Sequence, residues 1–197
     1  MLKLQKIYKS ETALEILQEA ILSGNIQSGT EITQNEAAQS LGVSRMPVRE
    51  AFIILEYCGL VERLPGQHVR VSSFDDEIIK NIFSDFSLLA LETIKNFKPE
   101  DFKTISRCEN QNEFHEILIA KTKSQFRKKF FEIMKEIYLP FVMKFSENQA
   151  KIHESFKNLL SALKNSSEFE TAYKNYSDSF ANELIKIRKR KKKKEEN

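Results

Sequence analysis

Gly42-Val43-Ser44 is the feature that most narrows what this chain can fold into. These three residues separate two stretches that both carry helix-start and helix-stop chemistry. Upstream, Thr33 followed three residues later by Glu36 has capping-box spacing, so a short helix is expected over roughly 34–41, ending at Gly42. Downstream, Ser44 stands where an N-cap is wanted, and Pro47 falls in the first turn, where its missing N–H costs little. Val48, Ala51, Phe52 and Leu55 then recur at helical spacing as a buried stripe, and Gly59 ends the segment. An earlier helix is expected over 11–23, with Leu14, Leu17 and Ile21 on one face and Ile16 and Ala20 beside it, stopping at Ser23–Gly24. "NIQSGTEI" reads as a loop turning at Ser28–Gly29. "LVERL" and "HVRVS" flank the turn "PGQ" and read as a hairpin. Two helices, a tight turn, a third helix and a hairpin within some seventy residues describe a winged helix-turn-helix.

From Phe74 onward the pattern is helical throughout. Helices are expected near 75–97, 100–107, 110–122, 125–147, 150–164 and 168–187, with Pro140 bending or splitting the fourth of them. Five glycines and four prolines in 197 residues leave little material for the tight turns of an all-β fold. The fold class expected is therefore mostly α: an N-terminal winged helix-turn-helix with a small β-hairpin wing, followed by an antiparallel all-α helical bundle. The domains expected are 1–73, 74–187, and a basic disordered tail over 188–197.

The charge sits unevenly. Residues 1–73 hold 7 Lys/Arg against 8 Asp/Glu, residues 74–187 hold 17 against 18, and the last ten hold 7 against 2. The net +3 thus comes from "RKRKKKKEEN", and any specific anion site elsewhere must be a local arrangement. The tail is expected either to add salt-sensitive nucleic-acid affinity or simply to aid solubility. "MLKLQKIYKS" lacks an apolar signal run, no stretch nears a membrane span, and Cys58 and Cys108 form no CxxC pair. A reducing cytoplasm is the location expected. The fifteen phenylalanines, among them Phe83, Phe86, Phe114, Phe126, Phe130, Phe131, Phe141 and Phe156, are read first as core filling and second as the lining of an apolar ligand pocket.

Arg45 and Arg49 are four positions apart, so they share one face of the third helix while Val48, Phe52 and Leu55 point into the core. A guanidinium fork fits guanine O6/N7 or a phosphate, and the start of a third helix is where major-groove reading takes place. The bland alternative is a solvated helix on which Glu50 pairs with one of the two arginines.

The run "GNIQSGTEITQNEAAQSLGVSRMPVREAFIILEYCGLVERLPGQHVRV" resembles the DNA-binding domain of GntR-type bacterial transcription regulators, most specifically in "LGVSR-x-PVREA", "GLVER" and the turn "PG". The resemblance implies DNA contacts from Thr33, Gln34, Ser44, Arg45, Met46, Arg49, Gly66, Gln67 and His68. It departs from the family at Met46, where threonine is usual, and at His68, where a second wing glycine is usual. The second half resembles, more weakly, the helical FadR/FCD-type effector domain, through the "DD" opening, "EFHEILIA" at 113–120 and "LLSAL" at 159–163. That domain dimerises and often holds a small organic acid beside a divalent metal. His115 matches its "FH" histidine, but the aspartate position is Gln111 and the later histidine positions fall on Phe156 and Asp178, with His153 one turn before Phe156. A zinc or nickel ion needs three or four ligands, so the expectation is that no metal binds.

No nucleophile elbow, P-loop, HExxH or paired carboxylate is present, so no enzymatic activity is expected. The function expected is that of a homodimeric GntR-type regulator on a palindromic double-stranded operator, acting as a repressor under the control of an organic acid or an apolar acyl ligand. The alternatives are a dimeric DNA-binding protein whose bundle senses nothing, and a partner- or RNA-binding scaffold acting through its tail.

Overall fold

The computed structural model describes residues 12–66, 68–164 and 166–195. They fall into two compact units, one formed up to Asp75 and again from Ile187 onward, the other spanning Asp76–Lys186.

In the first unit, helices α1 (Ala13–Ser23), α2 (Gln34–Leu41) and α3 (Arg45–Tyr57) surround a small apolar core. Thr12 and Glu15 form a capping box at the start of α1, and Thr33 and Glu36 form one at the start of α2. Gly24 and Gly42 close the two helices in the left-handed region, at φ 83° and 72°, where any side chain would be strained. Leu17, Ile21, Ala37, Val48, Phe52 and Leu55 are all at most 2% exposed and meet in the middle of the unit. The sheet has three strands rather than two: β1 (Glu31–Thr33), β2 (Val61–Leu64) and β3 (His68–Val71), in the order β1-β3-β2, both pairs antiparallel. The segment "NIQSGTEI" was expected as a loop. Its end forms β1 because Ile32 pairs across from Val69, and the two buried side chains cover one face of the sheet.

Every regular element among the described residues of the second unit is helical. It comprises α4 (Asp76–Ile94), α5 (Pro99–Ile105), α6 (Gln111–Lys121), α7 (Gln125–Ile133), α8 (Leu139–Phe145), α9 (Gln149–Ser161) and most of α10 (Ser166–Glu195). Pro140 does disturb the fourth segment, as expected. Between α7 and α8 the chain takes a π-helical turn over Met134–Tyr138, so the missing proline N–H falls in the first turn of a new helix. Phe83, Phe86, Phe114, Phe131, Tyr173, Tyr176 and Phe180 are essentially fully buried and build an aromatic core. Phe86 packs edge-on against Phe131 and His115, with centroids 5.9 and 5.6 Å away. Phe126 breaks the core-filling expectation at 77% exposed, since the second residue of α7 points away from the buried face. Ser177 donates to the Phe83 carbonyl at 2.6 Å and fixes α10 against α4. The buried Glu183 is satisfied by Ser146, Asn148 and Lys186 at 3.0, 3.2 and 2.7 Å, and these donors hold its carboxyl below the usual range despite burial.

α10 continues as helix through Glu195, so residues 188–195 are not the disordered tail expected from their composition. Arg188 supplies a physical reason. It is 7% exposed, and its Nη1 donates to the carbonyls of Ile21 and Leu22 at 2.8 and 2.9 Å, at the end of α1 where only the Ile21 carbonyl also accepts from the Gly24 N–H, at 3.1 Å. The guanidinium also stands 5.7 Å from the Phe74 ring centroid.

Candidate nucleic-acid interface and bundle cavity

The first candidate surface is the outer face of α3 with the β2–β3 turn. Val48 and Phe52 face the core at no more than 1% exposure, and this anchors the helix with Arg45, Met46 and Arg49 outward. Arg45 reaches Asn35 Oδ1 only at 3.5 Å, and Arg49 has no hydrogen bond or ion pair among the described residues. Glu50 pairs with neither arginine, so the bland alternative of a self-satisfied helix surface is not the arrangement present. Met46 is 58% exposed. Ser44 occupies the N-cap position with extended backbone, but its hydroxyl makes no cap bond, contrary to the capping role read from the sequence.

At the turn, Gly66 has φ 78°, and a Cβ there would approach the His68 ring at 3.8 Å. His68 is half-buried as the first residue of β3. Gln67 lies outside the described residues. Two expected contacts are otherwise occupied. Gln34 is turned inward at 7% exposure, and the Thr33 hydroxyl accepts from Glu36 N–H at 3.0 Å as the cap of α2. Cross-strand and neighbouring pairs, Arg70 with Glu31 at 2.7 Å and Arg63 with Glu56 at 2.6 Å, engage the other two arginines of this unit that precede α4. Arg45 and Arg49 are thus the two without an ion pair, both in the first turns of α3.

The second candidate site is a cavity of about 740 Å³ in the bundle. Gln111, His115, His153 and Phe156 all line it, so four of the five positions singled out from the sequence converge. Asp178 does not line it. The residue of α10 that meets His115 is Tyr176, two positions earlier, and two residues correspond to a rotation of roughly 200° around a helix. Tyr176 therefore lies on the opposite side of α10 from Asp178. Its hydroxyl is 3.2 Å from His115 Nε2 and 3.3 Å from Gln111 Oε1. Burial pushes the His115 pKa down to about 3, with the Lys135 charge adding to the effect, so the ring is neutral. Gln111 Nε2 is buried and has no partner.

This donor set does not fit a divalent metal. Glu109, His115 and His153 are the ordinary metal-ligating side chains on its wall, His115 Nε2 faces the Tyr176 hydroxyl, and the three do not come together as a ligand set. No group of three His, Cys, Asp or Glu side chains among the described residues has metal-ligating geometry. Tyr176 carried no signal of its own in the sequence, because an aromatic residue at helical spacing reads as core.

Residues 9–71 match the family model "Bacterial regulatory proteins, gntR family". Over 55 residues the chain is 38% identical to an uncharacterized HTH-type transcriptional regulator of Mycobacterium tuberculosis, a stretch that makes up 28% of this chain and 22% of that relative. Over 59 residues it is 43% identical to an uncharacterized HTH-type transcriptional regulator from an unstable DNA locus of Streptomyces ambofaciens, 30% of this chain and 25% of the relative. The matched stretch thus spans a quarter or less of these relatives. A solved structure titled "Lar controls the expression of the Listeria monocytogenes agr system and mediates virulence" shares the fold with a TM-score of 0.51 at 16% identity, covering 91% of this chain and 98% of that one. No helix among the described residues is long and apolar enough to cross a membrane. The winged helix-turn-helix geometry agrees with that match, and residues 9–71 are similar to the gntR family of bacterial regulatory proteins.

Proposed function

We propose that the whole chain is a GntR-type DNA-binding transcription regulator, in which α3 enters a major groove and the turn at Gly66 lies beside it. The observation that carries this reading is the pair Arg45 and Arg49, neither ion-paired among the described residues, on a helix whose opposite face is locked into the core. Ser44, with its free hydroxyl at the same helix start, is a phosphate donor, and His68 flanks the groove from the wing. The operator is a palindrome read by a homodimer, as two-fold symmetry requires of paired recognition helices. The bundle, similar to the FadR/FCD type, supplies the dimer contact and an effector site. Ligand binding in the 740 Å³ cavity shifts the population of DNA-competent dimers and so relieves repression.

The test is selection of bound sequences from a random duplex pool, followed by titration of the recovered site. Recovery of a palindromic motif whose binding is lost in Arg45→Ala plus Arg49→Ala supports the reading. Recovery of no motif, or a motif bound equally by the double variant, refutes it.

A further inference from the structure

Resting on the reading of α3 as a recognition helix, we infer that Met46 reads a base, and that its partner is the C5-methyl group of a thymine in the major groove. The outward face of α3 is apolar along its middle. At about 100° of rotation per residue, Met46, Ile53 and Tyr57 fall within roughly 40° of one another, on the side opposite the buried Val48, Ala51, Phe52 and Leu55. All three are large side chains in solvent, at 58%, 47% and 54% exposed, and Ile54 beside them is 40% exposed. Among the described residues only Leu88 and Phe126 are large hydrophobics open to this degree, so the exposure is gathered on one helix rather than scattered over the surface.

Position along the axis separates these side chains. Met46 is the second residue of α3, and the N-terminal residues of a recognition helix are the ones that reach base edges. Ile53 and Tyr57 follow about 10 and 16 Å further along the axis. Arg49 stands about 60° to one side of Met46 and about 4.5 Å along, so a hydrogen-bonding fork flanks a carbon-and-sulfur centre. A thioether donates no hydrogen bond and accepts only weakly, which leaves Met46 unfit for phosphate contact or for the polar base edges. The base edges of the major groove carry one apolar group, the thymine methyl, and an exposed methionine gains by dehydration only against it. Three rotatable bonds let the end of the side chain settle over that methyl.

The experiment uses the full chain and the operator recovered from the random-duplex selection. Each thymine of one half-site is replaced in turn by deoxyuridine, which removes the C5-methyl and leaves every hydrogen-bonding group in place. Affinities are measured by fluorescence anisotropy for the parent, Met46→Gln, Met46→Leu and Tyr57→Ala. The parent is expected to lose about three- to tenfold at one thymine, the worth of one buried methyl group. Met46→Gln, of similar length but with a polar end, is expected to bind the thymine and deoxyuridine duplexes alike at that position. Met46→Leu keeps an apolar end and Tyr57→Ala changes a ring remote from the first turn, so both are expected to retain the loss. A parent with no methyl-dependent position, a loss that persists in Met46→Gln, or one abolished in Tyr57→Ala would overturn the inference. Recovery of no operator refutes the regulator reading and this inference with it, whereas an operator without a Met46-dependent methyl effect overturns this inference alone.

Discussion

Arg188 donates from a single nitrogen to the carbonyl of Ile21, 167 positions earlier in the chain, and to its neighbour Leu22. The end of α1 has no basic residue of its own in its last turn, so this distant guanidinium takes the place a local lysine or arginine would fill. The glycine that closes α1 is part of the same arrangement. A Cβ on Gly24 would lie 3.5 Å from Arg188 Cζ, and φ 83° already disfavours any side chain there.

Removing the guanidinium therefore leaves the Leu22 carbonyl without a donor and the Ile21 carbonyl with the Gly24 N–H alone. Arg188→Ala is expected to destabilise the first unit by about 2–3 kcal/mol, since hydrogen bonds from charged groups are worth ~1.5–3 kcal/mol each but these two share one donor atom. Amide exchange should locate the loss at the end of α1. Arg188→Lys should recover only part, because an ammonium lacks the planar face set against Phe74. Wild-type exchange rates at the end of α1 in Arg188→Ala would contradict this role.

For DNA binding, Arg49 and Ser44 should separate by kind of contact. A side chain reading a base edge costs about 1–3 kcal/mol when truncated and relaxes preference at one position, whereas a phosphate contact weakens all sequences alike and lowers the salt slope by about 1. Arg49→Ala is expected to show the first signature and Ser44→Ala a smaller loss of the second kind. Gln34→Ala should leave DNA affinity unchanged, because that side chain is turned into the protein. A Gln34→Ala variant that folded normally yet lost affinity would show that the inward side chain is not idle.

Much of the first unit was legible in the sequence because its boundaries are set by local chemistry. The Thr33–Glu36 capping box and the closing glycines Gly24 and Gly42 sit where short-range spacing placed them, while the Thr12–Glu15 box was not read from the sequence. β1 escaped because a three-residue strand has no periodicity of its own, and its formation depends on Ile32 meeting Val69 across the sheet. Residues 188–195 looked disordered because a run of cations cannot bury itself. What the run cannot reveal is that its first arginine has carbonyl partners far back in the chain. The cavity was partly legible. Gln111 and His115 are one helical turn apart and could be paired from spacing, but Tyr176 enters from a helix whose rotation only packing decides.

His115 should make stability fall in acid. Its pKa is near 3 in the folded protein against about 6.5 in an unfolded chain, so the unfolded state takes the proton first. The contribution is complete above about pH 6.5 and is lost as pH drops toward 3, amounting to about 2 kcal/mol by pH 5. Asp101 and Glu183, whose carboxyls are held below their usual range, add acid sensitivity of the same sign, so the comparison must be with a variant. Denaturant titrations of the parent and of His115→Gln at several pH values should give profiles that converge as pH falls from 6.5 to 4. Parallel profiles would mean that the ring takes up its proton as readily in the folded protein as in the unfolded chain.

Tyr173 and Tyr176 lie on the same helix with ring centroids 6.0 Å apart, and both are fully buried, yet their hydroxyls are placed differently. The Tyr176 hydroxyl bridges Gln111 and His115, while that of Tyr173 has no partner. An unpaired buried polar group carries a desolvation penalty of ~1–3 kcal/mol with nothing to offset it, whereas a bonded hydroxyl returns about 1 kcal/mol net. Tyr173→Phe should therefore be neutral or stabilising by up to about 1 kcal/mol, because the ring contacts with Phe86, Phe114 and Phe169 survive the loss of one oxygen. Tyr176→Phe should cost about 1–2 kcal/mol, since it strands Gln111 Oε1 and the imidazole N–H together. Urea unfolding of the two variants, read by far-ultraviolet dichroism, decides the matter through the order of their midpoints. A Tyr173→Phe protein less stable than Tyr176→Phe would reverse the assignment of which hydroxyl the bundle uses.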